Sequence, residues 1–204
     1  MHSFDVVIVG GAVMGSAAAY FLGAADPAVR VLVLEQDFSY QRCATTLSVA
    51  SVRHQFSTPE NIRMSMFGSA FIAGIGRHLA VDGQAPEVSW HEAGYLFLAS
   101  AAGLPVLQAN HAVQRAEGAQ VQLLDRAALQ ARYAWLRCDD LAGASLGLRG
   151  EGWLDAYSLM RAFRQKAQSQ GAVYRQARAV RLLREGRRVT GVELADGARI
   201  ACGQ

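Results

Sequence analysis

No apolar run in the chain reaches the length of a membrane-spanning helix, so no integral membrane segment is expected. Cysteine is sparse and odd in number. Cys43, Cys138 and Cys202 lack metal-ligand spacing and make no disulfide framework. They read as reduced thiols of a cytoplasmic protein, and no metal site is expected. Lysine is almost missing: Lys166 stands alone among 20 lysines and arginines. The arginines are scattered and not interleaved with aromatic residues, which argues against a nucleic-acid surface despite a net charge of +3. Internal repeats and low-complexity tracts are absent. The first strand begins almost at once, so no signal peptide is expected.

What is present is a chain of 204 residues, 51% hydrophobic, enough for one large domain or one and a half. It opens with Phe4-Asp5-Val6-Val7-Ile8-Val9-Gly10-Gly11-Ala12-Val13-Met14-Gly15, and Glu35 follows Gly15 by twenty residues. This spacing predicts a strand, a glycine turn, a helix, a second strand (Val31–Leu34) and an acid at its end. The apolar run Val6–Val9 suits a parallel strand buried on both faces. Gly10 permits the tight turn, and Gly15 lets helix and strand approach closely. Gly11, Ala12, Val13 and Met14 lead into the helix, whose first N–H groups and dipole favour a pyrophosphate. Glu35, with Gln36 beside it, is placed to meet ribose hydroxyls, and its charge disfavours a 2′-phosphate. Ala12 departs from the fingerprint, where a second glycine is usual. Its methyl crowds the pyrophosphate without excluding it. Dinucleotide binding is therefore expected.

Further along, residues Gln36–Ser57 lack clear periodicity, and a long irregular stretch in a compact domain usually has a functional reason. Thr58-Pro59-Glu60 reads as a helix start, and Phe67, Phe71, Ile75 and Leu79 predict one buried stripe on it. Gly94–Leu98 and Ala144–Arg149 read as strands, Leu104–Gly118 and Asp125–Tyr133 as helices. Leu159, Met160, Phe163 and Ala167 mark an amphipathic helix ended by Gly171. A three-strand meander follows, with turns at Glu185-Gly186 and Asp196-Gly197. Only two parallel strands are visible, and after Cys202 the chain should enter another element. A piece of a longer protein is expected.

These residues carry a resemblance. Asp5–Ser16 and Val31–Glu35 resemble the amino-terminal FAD-binding element of the D-amino-acid oxidase and sarcosine oxidase family. The stretch Ala44–Asn61, with Gly94–Ala99 and Glu151–Asp155, is similar to the subgroup that includes the mitochondrial FAD-dependent oxidoreductase domain-containing proteins. Ala156 stands where that subgroup usually has proline. The resemblance implies an α/β fold: a Rossmann-like FAD-binding sheet with a β-meander and parts of an α+β substrate domain, truncated. It implies a discontinuous, incomplete FAD domain over residues 1–85 and 150–204, and a partial substrate or cap domain over residues 86–149. It also implies FAD as cofactor and a small amine or amino acid as substrate. Further partners would be an electron acceptor or the missing carboxy-terminal half.

By the same resemblance, the small-residue run Ser48-Val49-Ala50-Ser51 and the following Arg53 and His54 pass beside the isoalloxazine. Arg53 and His54 become the candidate catalytic residues, against an ion pair for the first and a structural role for the second. Thr45, Thr46, Ser48 and Ser51 are candidate cofactor contacts, against ordinary loop capping for the first three. Arg42 could reach the ribose or pyrophosphate, or stay an exposed loop arginine. Val180, early in the meander, would meet the adenine through its backbone. The function implied is oxidation of a C–N bond by hydride transfer to flavin N5. Competing readings are a non-catalytic FAD-binding assembly protein, to which some relatives are linked, and an inactive truncated fragment. An NAD-dependent dehydrogenase is disfavoured, because NAD has no isoalloxazine for Ser48–Gln55 to cradle.

Overall fold

The structure is a computed structural model and describes residues 3–203. In chain order its elements begin with β1 (Ser3–Phe4), β2 (Val6–Val9), α1 (Val13–Ala25), β3 (Val31–Glu35), β4 (Ser51–Val52), α2 (Pro59–Ala73) and α3 (Ile75–Leu79). Then come β5 (Leu96–Ala99), α4 (Leu104–Ala116), β6 (Val121–Asp125), α5 (Arg126–Arg132), β7 (Gly143–Gly147) and β8 (Gly152–Trp153). The last are α6 (Ala156–Ser169), β9 (Val173–Gln176), β10 (Ala179–Glu185), β11 (Arg188–Leu194) and β12 (Arg199–Cys202). The chain divides into two compact units.

The first unit comprises Met1–Ser48, Ile75–Val88 and Asp155–Gln204. Its parallel sheet has the order β2-β3-β9. Every residue of β3 is buried. Leu32 and Leu34 pack on one face against Val192, Leu194 and Ile200 of the meander. Side chains alternate along a strand, so Val31, Val33 and Glu35 point to the other face. Helices α1 and α6 pack together through rings, with Tyr20 and Phe163 centroids 5.7 Å apart. The meander β10-β11-β12 forms as the turn residues predict, and β1 joins it in parallel beside β12. Two strands of this unit, β1 and β9, go beyond the sequence reading. β9 is Val-Tyr-Arg-Gln, half-exposed and polar, so no apolar run announces it.

The second unit comprises Val49–Gly74 and Ser89–Leu154. Its antiparallel sheet has the order β5-β7-β6, and β4 pairs with β8. Leu124, Leu129, Cys138, Ala144 and Leu146 make one core cluster; Ile62, Ala119 and Val121 make another.

Two expectations need correction. The division at residues 85/86 and 149/150 places residues 49–74 with the first unit, whereas they pack with residues 89–154. The reason is local: Ser51 and Val52 pair with Trp153 and Gly152, and Ile62 packs with Ala119 and Val121. The stripe Phe67, Phe71, Ile75 and Leu79 does not run along one helix. The helix breaks at Gly74 between α2 and α3, Phe67 is 60% exposed, and Phe71 and Leu79 are buried.

Candidate functional site

In the first unit, β2 ends at Val9 and the chain turns at Gly10, whose φ of +101° favours glycine. The Gly10 N–H donates to the Leu34 carbonyl at 2.8 Å, tying the turn to β3. A β-carbon on Gly15 would overlap the Gly10 carbonyl oxygen, so close approach there demands glycine. Helix α1 begins without a side-chain cap from Ala12 and without an acidic residue in its first turn. Its own first turn therefore holds no carboxylate against its positive end. The Val13 N–H donates to Thr45 Oγ1 at 3.3 Å.

Glu35 ends β3 and is 9% exposed. Its Oε2 accepts from the Gly11 N–H at 2.8 Å and its Oε1 from the Asp37 N–H at 3.0 Å. A carboxylate has about four lone-pair sites, so two bonds leave room for ribose hydroxyls. Gly10, Ala12, Glu35, Gln36, Arg42 and Ala179 border one cavity of about 830 Å³. Where a β-carbon on Gly10 would sit, nothing lies within 4 Å. An open glycine turn, a helix start with no acid in its own first turn and an acid with spare acceptor capacity fit the adenosine diphosphate part of FAD.

The remaining candidates in this unit have other surroundings. Thr46 Oγ1 donates within the loop, to the Tyr40 carbonyl at 2.6 Å and the Cys43 carbonyl at 3.1 Å. Ser48 Oγ donates to the Thr45 carbonyl at 2.9 Å. Both hold the loop in shape. Met14 is 80% exposed, and Val180 is half-exposed beside Ala179. Cys43 and Tyr40 also line the cavity. Local hydrogen bonds to Thr45 and Thr46 pull the Cys43 thiol below its ordinary pKa, against the opposing effect of burial.

Ser51, Arg53 and His54 belong to the second unit. Ser51 lies exposed on β4, paired with Trp153. The Arg53 guanidinium lies 4.6 Å from the ring centre of Phe56 and 5.7 Å from those of Tyr95 and Phe97. Its Nε is buried without a hydrogen-bond partner. Among the described residues it makes no ion pair. The His54 ring has a different environment. Its Nε2 lies 2.7 Å from Ser69 Oγ, which itself donates to the Met66 carbonyl at 3.1 Å. Ser69 has one proton to give, so the His54 ring donates to it. Burial lowers the His54 pKa, and the charge of Glu92 opposes this.

The sequence reading assigned no role to Glu151, although it lies at the centre of this cluster. The residue is fully buried. Its Oε1 accepts from the His54 N–H at 2.6 Å and its Oε2 from Gln55 Nε2 at 2.8 Å. Gln55 Nε2 also donates to the Tyr95 carbonyl at 2.8 Å. Burial pushes the Glu151 pKa up; the bonds from Gln55 and His54 and the charge of Arg53 oppose it. One signal was available: an acid set between Gly150 and Gly152, where backbone can come close.

The first unit thus defines a dinucleotide-binding α/β domain. The chain belongs to the DAO family of FAD dependent oxidoreductases, which it matches over residues 5–203. FAD is the cofactor of that family. The FAD-dependent oxidoreductase domain-containing protein 1 of Bos taurus is 38% identical over 200 residues, covering 96% of this chain and 40% of that protein. L-Proline dehydrogenase from P. horikoshii has a similar structure, with a TM-score of 0.82 at 22% identity over 99% of this chain and 51% of that one. Glycine oxidase from Geobacillus kaustophilus gives 0.78 at 21% identity, covering 100% of this chain and 54% of that one. The chain therefore spans about half of the solved structures it matches, and less of the bovine relative.

Glu35→Ala is expected to weaken FAD binding by roughly 1–3 kcal/mol, the scale of a hydrogen bond to a charged group. Loss of the Gly11 anchor adds to the loss of ribose contacts. Fluorescence titration of FAD reads the change, and unchanged affinity would remove Glu35 from the site.

Proposed function

We propose that the protein oxidises the C–N bond of a small amino acid or secondary amine, with this chain contributing the adenosine diphosphate site and a cation for the flavin. The support from relatives is that similar structures are a proline dehydrogenase and a glycine oxidase. FAD, when bound, supplies the hydride acceptor at N5. The carrying observation is Arg53. Its charge is held among three aromatic rings with no carboxylate ion-paired to it among the described residues. A cation so fixed is available to negative charge that develops during reaction. Its attachment directly after the small-residue run Ser48–Ser51 suits a segment that must approach a flat ring. The His54 ring, turned to Ser69, holds this segment rather than moving a proton to substrate. The electrons pass onward to oxygen or to a protein acceptor. The three free cysteines suit a reducing compartment, and we propose a cytoplasmic location.

The test is anaerobic mixing of the full-length, FAD-loaded protein with panels of secondary amines, amino acids and 2-hydroxy acids. Bleaching of the visible flavin band by a member of the first two panels is expected. Bleaching by hydroxy acids alone would replace the C–N assignment. Bleaching by none would favour the non-catalytic assembly role.

A further inference from the structure

Both backbone polar groups of Gly11 are held inward. Its N–H donates to Glu35, and its carbonyl accepts from Ser16 Oγ at 2.7 Å. Ser16 is fully buried. Having given its proton to Gly11, the Ser16 hydroxyl accepts from its other neighbour, the Tyr174 hydroxyl at 3.1 Å. Tyr174 comes from β9, the strand that the sequence did not announce. Its ring is held by the Arg164 guanidinium, 5.2 Å from the ring centre. A hydrogen-bonded chain therefore runs from the third parallel strand, through helix α1, to the glycine turn.

The geometry of the peptide unit gives this chain a consequence. In a trans peptide the N–H points opposite to the C=O. Ser16 draws the Gly11 carbonyl inward, so the N–H of the same peptide, that of Ala12, turns outward. Ala12 lines the cavity. We propose that Ser16 and Tyr174 are positioning residues for the cofactor's pyrophosphate: they fix the Gly11–Ala12 peptide so that its N–H faces the anion. Ala12 makes the device more necessary. With a methyl in place of a fingerprint glycine, the turn has less freedom to adjust its amide to the phosphate. This inference rests on FAD seating in the first unit and is independent of any substrate.

The experiment uses the full-length protein and measures displacement of FAD by ADP and by adenosine. In Ser16→Ala the affinity for ADP and FAD should fall about tenfold, the effect of losing one well-placed hydrogen bond at an anion site. Adenosine, which has no phosphate, should bind as it does to the parent. Tyr174→Phe keeps the ring and its packing and should lose about threefold for ADP, again without loss for adenosine. The double variant should be no weaker than Ser16→Ala, because the tyrosine acts through the serine. A general loosening of the fold would lower ADP and adenosine affinity together, and that result would overturn the proposal. Unchanged ADP affinity in both single variants would also overturn it. If Ser16→Ala does not fold, the ADP-to-adenosine ratio in Tyr174→Phe decides alone.

Discussion

Arg53→Ala is expected to slow anaerobic reduction of the bound flavin by about 10²–10³-fold, the usual result of deleting one charge-stabilising group at a reacting centre. FAD occupancy should stay largely intact, because the Gly10–Gly15 turn and Glu35 lie in the first unit and do not depend on Arg53. The split between rate and occupancy is the informative part. An arginine that only closed the core would change stability and occupancy together. One that formed a surface ion pair would change neither, since exposed pairs contribute at most about 1 kcal/mol. Arg53→Lys sharpens the result. Lysine keeps the charge but not the planar fork that packs on Phe56, Tyr95 and Phe97, so it should recover only part of the rate. Stopped-flow reduction with one fixed amine provides both numbers. Equal rates in parent and Arg53→Ala would reject the role.

Glu151→Ala should strongly destabilise the second unit. It strands the buried His54 N–H and removes one of the two acceptors of Gln55 Nε2. A buried donor left unpaired costs about 1–3 kcal/mol, and the cavity adds to this. A total of about 3 kcal/mol would lower the thermal midpoint by roughly 10 °C in a chain of this size. Glu151→Gln separates charge from hydrogen bonding. The folded-state pKa of Glu151 is raised by burial. Its contribution to stability is therefore full below the ordinary carboxylate value and is lost as pH rises through the folded value. Glutamine cannot ionise, so the variant should lack that decline. His54, with its pKa lowered by burial, acts in the opposite sense. Its stabilising effect is present above its ordinary value and is lost as pH falls through the folded value. Denaturant titrations across pH would show it. A Glu151→Gln protein with the parent's pH profile would contradict the assignment of the titration to Glu151.

The first unit was legible where one local pattern dictates the structure. Gly10, Gly15 and Glu35 sit where strand, turn and helix spacing put them, and the Asp196-Gly197 turn closes the meander. Reading failed where tertiary pairing overrides composition. β9 carries Tyr174, Arg175 and Gln176, half-exposed or exposed residues with no apolar alternation. It is a strand because β3 offers it a free edge. The two-residue strands β4 and β8 exist only through each other. Glu151 was invisible for the same reason. Its partners His54 and Gln55 lie 97 and 96 residues away in sequence. No spacing rule reaches that far. Arg53 follows from the resemblance and Phe56 lies three residues beyond it, but Tyr95 and Phe97 come to its guanidinium only through tertiary packing.

The most direct measurement of the central claim is anaerobic reduction of the full-length, FAD-loaded protein by a reactive amine carrying deuterium on the carbon next to nitrogen. The account predicts complete bleaching of the flavin band, slowed several-fold by the deuterium, with the isotope effect kept in the slower Arg53→Ala variant. Flavin that stays oxidised with every amine and amino acid, or that is reduced at the same rate whether or not that carbon is deuterated, would contradict it.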